Sequence, residues 1–124
     1  MKDGARAAFA EVIGEGDQTA LLLDREGRVI AGLYLDSRDA DVSAEIGVAL
    51  GPVGDEVARA MRHLGMGDWR AIICECTDAN VALAPGDGGE VVMVAASPLV
   101  PIGFVRRLLD MVVVRAGAWR REAA

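Results

Sequence analysis

Apolar residues recur every three or four positions in some stretches of the chain and crowd into short runs in others, and these two periods set the expected elements. From Asp3 to Ile13, Ala5, Phe9, Val12 and Ile13 share one side of an amphipathic helix, with Gly14 and Gly16 as its stop. Thr19 to Asp24 and Arg28 to Leu35 are β-rich runs on either side of Asp24-Arg25-Glu26-Gly27. Gly27 is expected to take the left-handed conformation that closes a short hairpin. From Val42 a stripe runs through Ile46, Ala49, Leu50, Val53, Val57, Ala60, Met61 and Leu64 with its phase unbroken across Gly51-Pro52. An interior proline costs a helix about 3 kcal/mol, yet the continuous phase predicts one kinked helix. Asp39 or Asp41 would cap its start and Gly65 end it.

Trp69 to Cys76, Val81 to Ala84 and Val91 to Ala96 then read as three strands. They are joined by turns at Thr77-Asp78-Ala79-Asn80 and Pro85-Gly86-Asp87-Gly88-Gly89, so they form an antiparallel meander. After a loop from Ser97 to Pro101, the residues Val105, Leu108, Leu109, Val112, Val113 and Ala116 make one face of a last helix, with Gly117 its expected stop. The order α-β-β-α-β-β-β-α is of class α+β: a single five-stranded antiparallel sheet with helices on both faces, in one domain over residues 1–124. Ala71 to Cys74 is apolar at successive positions, so that strand is expected to be buried on both sides. Three helices cover such a sheet poorly in a single copy, which points towards association.

Composition narrows the function. With 13 Lys+Arg against 19 Asp+Glu in 124 residues, a net charge of −6 argues against a nucleic-acid partner, whose phosphates demand clustered cations. The uncharged run from Val91 to Val105 is short and broken by Pro98 and Pro101, so no membrane insertion is expected. Asp3 and Glu11 stand where a secretory signal needs an apolar block, and the expected location is cytoplasmic. Cys74 and Cys76 lie on one face of a strand and cannot easily bridge to each other, so buried, reduced thiols are expected.

Reactive constellations are lacking. A P-loop needs glycines ahead of a Lys and a Ser or Thr, but the one lysine is Lys2, and Gly86, Gly88 and Gly89 join two strands. His63 with Cys74 and Cys76 falls short of a zinc set. Ser37, Ser43 and Ser97 sit in no nucleophile elbow. No catalytic group, cofactor or metal is expected, and the chain is read as a non-enzyme. The polar side of the second helix is the better candidate. Asp55, Glu56, Arg59 and Arg62 form a possible partner-facing rim, with Asp55 and Arg59 at ion-pair spacing and the arginines suited to an interface. The last helix, with Arg106, Arg107, Arg115, Arg120 and Arg121, is basic against an acidic remainder.

The corners of this pattern resemble the roadblock/LC7 family, of profilin-like fold. The residues that carry the likeness are Ala20 to Ala31 around the first turn, His63-Leu64-Gly65-Met66-Gly67 after the long helix, Ala82 to Glu90 between the fourth and fifth strands, and Ile102-Gly103-Phe104-Val105-Arg106 opening the last helix. The resemblance implies a homodimer whose sheets join and whose second helices pack across the dyad, with Val53, Val57, Met61, Trp69, Ile72 and Cys74 near the axis. It implies a Ras-like small GTPase as partner, as for MglB-type regulators, or a scaffold role bridging larger proteins, as for the dynein light chains. A small ligand-binding sensor or enzyme ranks last.

Overall fold

A computed structural model describes residues 5, 7–13 and 18–123 of the chain. The helix expected over Asp3–Ile13 is interrupted: residues 7–9 form turns that seat Ala8 and Phe9 in the core, and α1 covers only Ala10–Ile13. The expected stop at Gly14 and Gly16 lies outside the described residues. Strands β1 (Thr19–Leu23), β2 (Val29–Leu33), β3 (Ile72–Glu75), β4 (Asn80–Pro85) and β5 (Val91–Ala96) form one antiparallel sheet in the order β2-β1-β5-β4-β3. Helices α2 (Ser43–Leu50), α3 (Val53–Leu64) and α4 (Ile102–Ala123) complete the fold.

Strand β5 explains the layers. It is apolar and buried at every position, and successive side chains of a strand point to opposite faces. Val92, Val94 and Ala96 therefore meet Val105, Leu108, Leu109, Val112 and Ala116 of α4, together with Phe9. Val91, Met93 and Ala95 meet Leu21, Leu23 and Leu83 on the other face, where Ile46, Leu50, Val53 and Trp69 close over them. Helices thus cover both faces, as the strand pattern requires.

The first hairpin follows its sequence. Oδ1 of Asp24 accepts the N–H groups of Glu26 at 3.0 Å and Arg28 at 2.8 Å, while Gly27 takes φ of 87°. Burial pushes the Asp24 carboxyl up, but the backbone and guanidinium of Arg28, with the Glu26 N–H, hold it below the ordinary aspartate range.

The long second helix is instead two. Pro52 has no N–H to give, so the hydrogen-bond ladder lapses between α2 and α3. The backbone stays right-handed through Gly51 (φ −51°, ψ −47°) and Pro52 (φ −73°, ψ −13°), which is why the apolar phase survives the break. Neither Asp39 nor Asp41 is the N-cap, which is Val42 and makes no side-chain capping bond; Asp41, one residue earlier, accepts the Ser43 N–H at 3.0 Å. At the end Gly65 takes φ of 68°, its N–H reaching the Arg62 carbonyl while that of Met66 reaches Met61.

Gly117 does not stop the last helix, which runs to Ala123. Beyond it Trp119 packs against the core and Arg120 pairs with Glu90, anchors that offset the roughly 1 kcal/mol a helical glycine costs. Nor is the strand around Ala71 to Cys74 buried on both sides. As the outermost strand, β3 leaves Ile72 and Ile73 half-buried and Cys74 and Cys76 exposed, which overturns the expectation of buried thiols.

Candidate functional site

Strand β3 is an outermost strand of the sheet, and α3 packs through Val53 on the same face as Ile72. The N–H of Cys76 donates to the Ala79 carbonyl at 2.9 Å, closing the β3–β4 turn. Antiparallel strands alternate between bonded and non-bonded pairs. From that turn backwards, Cys74 and Ile72 direct their backbone groups at β4, while those of Glu75 and Ile73 point outward from the sheet. Among the described residues no strand pairs with that border.

Of the residues expected near a dyad, Val53, Trp69 and Ile72 pack half-buried against the α2–α3 side of the core. Val57 and Met61 follow Val53 on the same stripe of α3 and are also half-buried, and Cys74 is exposed. Cys74 lies opposite Val81, and Ile72 opposite Leu83, so both cysteine and isoleucine face the α2–α3 side. The structure thus brings Val53, Trp69 and Ile72 together in one core cluster, while Val57 and Met61 lie further along α3 and Cys74 further along β3.

Beside this stripe, Asp55, Glu56, Arg59 and Arg62 are all exposed. Arg59 pairs with Glu56, one turn back, rather than with Asp55. Asp55 is met by Arg25 from the first hairpin at 3.6 Å. Sequence spacing along one helix had no means of showing a partner from another loop. With side chains more than half exposed, neither pair holds the fold appreciably.

Arg25 also overlies Gly89, where a side chain would collide with its guanidinium. Glycines position this end of the molecule: Gly27 in the hairpin turn packs directly on Gly47 of α2 and on Gly51, and Gly54 of α3 leaves room for Val91. The sequence showed Gly27 as a turn residue, but not the surface it meets.

On the opposite face, Glu90 is 6% exposed and pairs with Arg120 of α4 at 3.0 Å, beside a cavity of about 130 Å³. Burial pushes its carboxyl above the ordinary glutamate range; Arg120 pulls it back, while Asp87 and Asp24 raise it further. An open groove of about 890 Å³ lies at the far end of the sheet, between Thr19, Tyr34, Asp36, Asp78 and Ser97. The Asp36 carboxylate there is engaged by the N–H groups of Arg38 and Ala40. Among the described residues no three His, Cys, Asp or Glu side chains gather as a metal site, and no helix is long and apolar enough to cross a membrane.

No protein-family model matches the chain. No curated protein matches it either. Solved structures do. A roadblock/LC7 domain from Streptomyces avermitilis superposes with a TM-score of 0.75 at 16% identity, over 94% of this chain and 97% of that one. Myxococcus xanthus MglB gives 0.76 at 11% identity over 97% of each chain. An MglB in a tetrameric arrangement gives 0.67 at 16%, over 95% of this chain and 93% of that one. The chain has the roadblock/LC7 fold. The likeness extends over nearly its whole length and lies in architecture far more than in sequence.

Proposed function

We propose that the protein is a cytoplasmic homodimeric regulator or scaffold of the MglB kind, which binds a Ras-like small GTPase and modulates its nucleotide cycle. The observation that carries this reading is the β3 border, unpaired among the described residues, in a chain of roadblock/LC7 fold that also carries the half-buried stripe Val53, Val57, Met61 on α3. A strand border with free backbone groups and apolar side chains gains by pairing with a second copy. A joined sheet then presents two copies of the α3 rim, with Asp55, Glu56, Arg59 and Arg62 available to a partner. The MglB likeness supports an assembling protein, and the resemblance of its sequence corners supplies the partner class.

In this reading the protein is not an enzyme and uses no cofactor. An effect on hydrolysis would come from holding the partner's own catalytic groups, since no arginine is singled out as a finger inserted into the partner's site. The test is to purify the Ras-like GTPase encoded in the same gene neighbourhood, load it with GDP or a non-hydrolysable GTP analogue, and measure binding and turnover with and without this protein. Binding that prefers one nucleotide, with altered turnover, supports the proposal. Absence of binding in both states defeats it, and a pulldown of scaffold proteins instead would make the chain an adaptor.

A further inference from the structure

We infer that the outward side of α4 is a docking surface for an acidic amphipathic helix of a partner protein. The inference is independent of the homodimer and the GTPase proposed above, because α4 covers the opposite face of the sheet from α2 and α3.

A helix that only roofs a sheet turns an apolar stripe inward and a polar side outward. Helix α4 departs from this. Its residues Val105, Leu108, Leu109, Val112 and Ala116 fill the core, yet Phe104 is 42%, Met111 46% and Val114 72% exposed. Exposed apolar residues scattered singly are ordinary, but these share one line. Phe104, Met111 and Ala118 recur every seven residues, and Arg107, Val114 and Arg121 recur at the same spacing three positions later. This is the a and d pattern by which one helix seats another, each side chain entering a gap on the facing helix. At about 1.5 Å per residue the seam runs for about 25 Å. Trp119 packs against the core and Arg120 pairs with Glu90 at 3.0 Å, so the helix carries the seam past Gly117 to its last member.

Charge selects the occupant. Five arginines stand on α4 in a chain of net charge −6. Arg106 pairs with Asp110 at 3.2 Å, Arg115 with Glu122 at 3.3 Å, and Arg120 with Glu90. Arg107 and Arg121 are exposed and in no ion pair among the described residues, and these two are the arginines on the seam. Each can lay its apolar stem along the seam and carry its guanidinium to the flank of an incoming helix. Carboxylates at the e and g positions of that helix meet it there and set the choice of partner. A second copy cannot supply them, because the seam itself holds no carboxylate, and in a parallel pair each arginine would face its own counterpart. An anionic membrane is disfavoured, because the molecule as a whole is acidic and its apolar line is interrupted by arginines, whereas helices that lie on lipid bury a continuous apolar face.

The test uses the full chain and two synthetic three-heptad peptides with Leu at a and d, one carrying Glu and the other Lys at e and g. Like charges keep each peptide from pairing with itself. By fluorescence anisotropy the Glu peptide should bind at least about tenfold more tightly than the Lys peptide, the preference shrinking as salt rises. Arg107→Glu combined with Arg121→Glu should invert the preference. Val114→Ser, at a position too exposed to hold the fold, should weaken the Glu peptide about tenfold with little change in melting temperature. Arg59→Ala with Arg62→Ala on α3 should leave its binding unchanged, and a loss there would move the site off α4. Absence of binding by the Glu peptide, or equal binding to the Arg107→Glu, Arg121→Glu variant, overturns the inference. So does a wild type that sediments at twice the mass of Val114→Glu, which gives the seam to a second copy. Flotation with phosphatidylcholine–phosphatidylserine vesicles that is lost in the double arginine variant gives it to a membrane and overturns the inference as well. A GTPase that fails to bind defeats the regulator reading and leaves this one standing.

Discussion

A methyl group on Gly47 would lie 2.1 Å from the carbonyl oxygen of Gly27, and one on Gly27 would lie 2.3 Å from that of Gly47. The turn of the first hairpin is therefore seated backbone to backbone on α2, and Gly51 extends the same contact to the start of α3. No side chain intervenes, so the hairpin fixes where the α2–α3 junction, and with it the exposed rim, stands over the sheet.

This contact makes an opposite pair of glycine substitutions informative. By helix propensity Gly47→Ala should gain about 1 kcal/mol. The collision with backbone, which cannot swing aside as a side chain can, should reverse the sign and cost about 1–3 kcal/mol. Gly103→Ala, in the first turn of α4 with nothing near its Cβ position, should stabilise by about 0.5–1 kcal/mol. Urea midpoints for the two variants measure this, and a Gly47→Ala protein as stable as wild type would show that the contact is not made.

The rim on α3 gives the second prediction. Arg59 and Arg62 are exposed, and Arg59 engages only the neighbouring Glu56 among the described residues, so replacing both by Ala should leave the melting temperature nearly unchanged. If the proposed GTPase docks on this rim, its binding should weaken roughly tenfold or more, as for interface arginines that carry more than about 1 kcal/mol each. Titration calorimetry with the loaded GTPase reads this directly. Unchanged affinity places the partner on another surface.

How far the sequence reached depends on the range of the physics involved. The hairpin at Asp24–Gly27, the αL stop at Gly65 and the strand runs are local, and each is found, although the run from Trp69 to Cys76 yields a strand only over Ile72–Glu75. The division of the second helix was hidden because Pro52 removes a hydrogen bond without turning the apolar stripe. The exposure of Cys74 and Cys76 was hidden too, since an apolar run does not reveal that its strand is outermost. The Arg25–Asp55 pairing, the Gly27–Gly47 contact and the burial of Glu90 beneath Arg120 each join distant segments. Only the assembled sheet brings them together.

Glu90 predicts a pH dependence. Its folded carboxyl titrates above the ordinary glutamate value of 4.5 because burial penalises the charged form. Below the unfolded value both states hold the proton, and this contribution to stability is fully present. As the pH rises through the raised folded value, the unfolded chain releases the proton more readily, and the contribution is lost. Glu90→Gln removes the titration. The stability of wild type relative to this variant should therefore decline as the pH rises above the ordinary glutamate value of 4.5, measured by paired thermal melts. A pH-independent difference would contradict the burial argument.

The last prediction separates association from folding. Val57 sits between Val53 and Met61 on α3, half-buried, with one side turned away from the core. Ile72, by contrast, packs into the core beneath α3, so a charge there damages the single chain as well as any dimer. Val57→Glu should therefore retain most of its thermal stability while losing association, because a carboxylate on a joined helix face must be desolvated or face its own copy across the axis. The dissociation constant of the proposed dimer should rise by about tenfold to a hundredfold, and sedimentation velocity over a micromolar concentration series reads it. A variant that dimerises as well as wild type would move the dyad away from α3, and with it the argument that the unpaired β3 border is closed by a second copy.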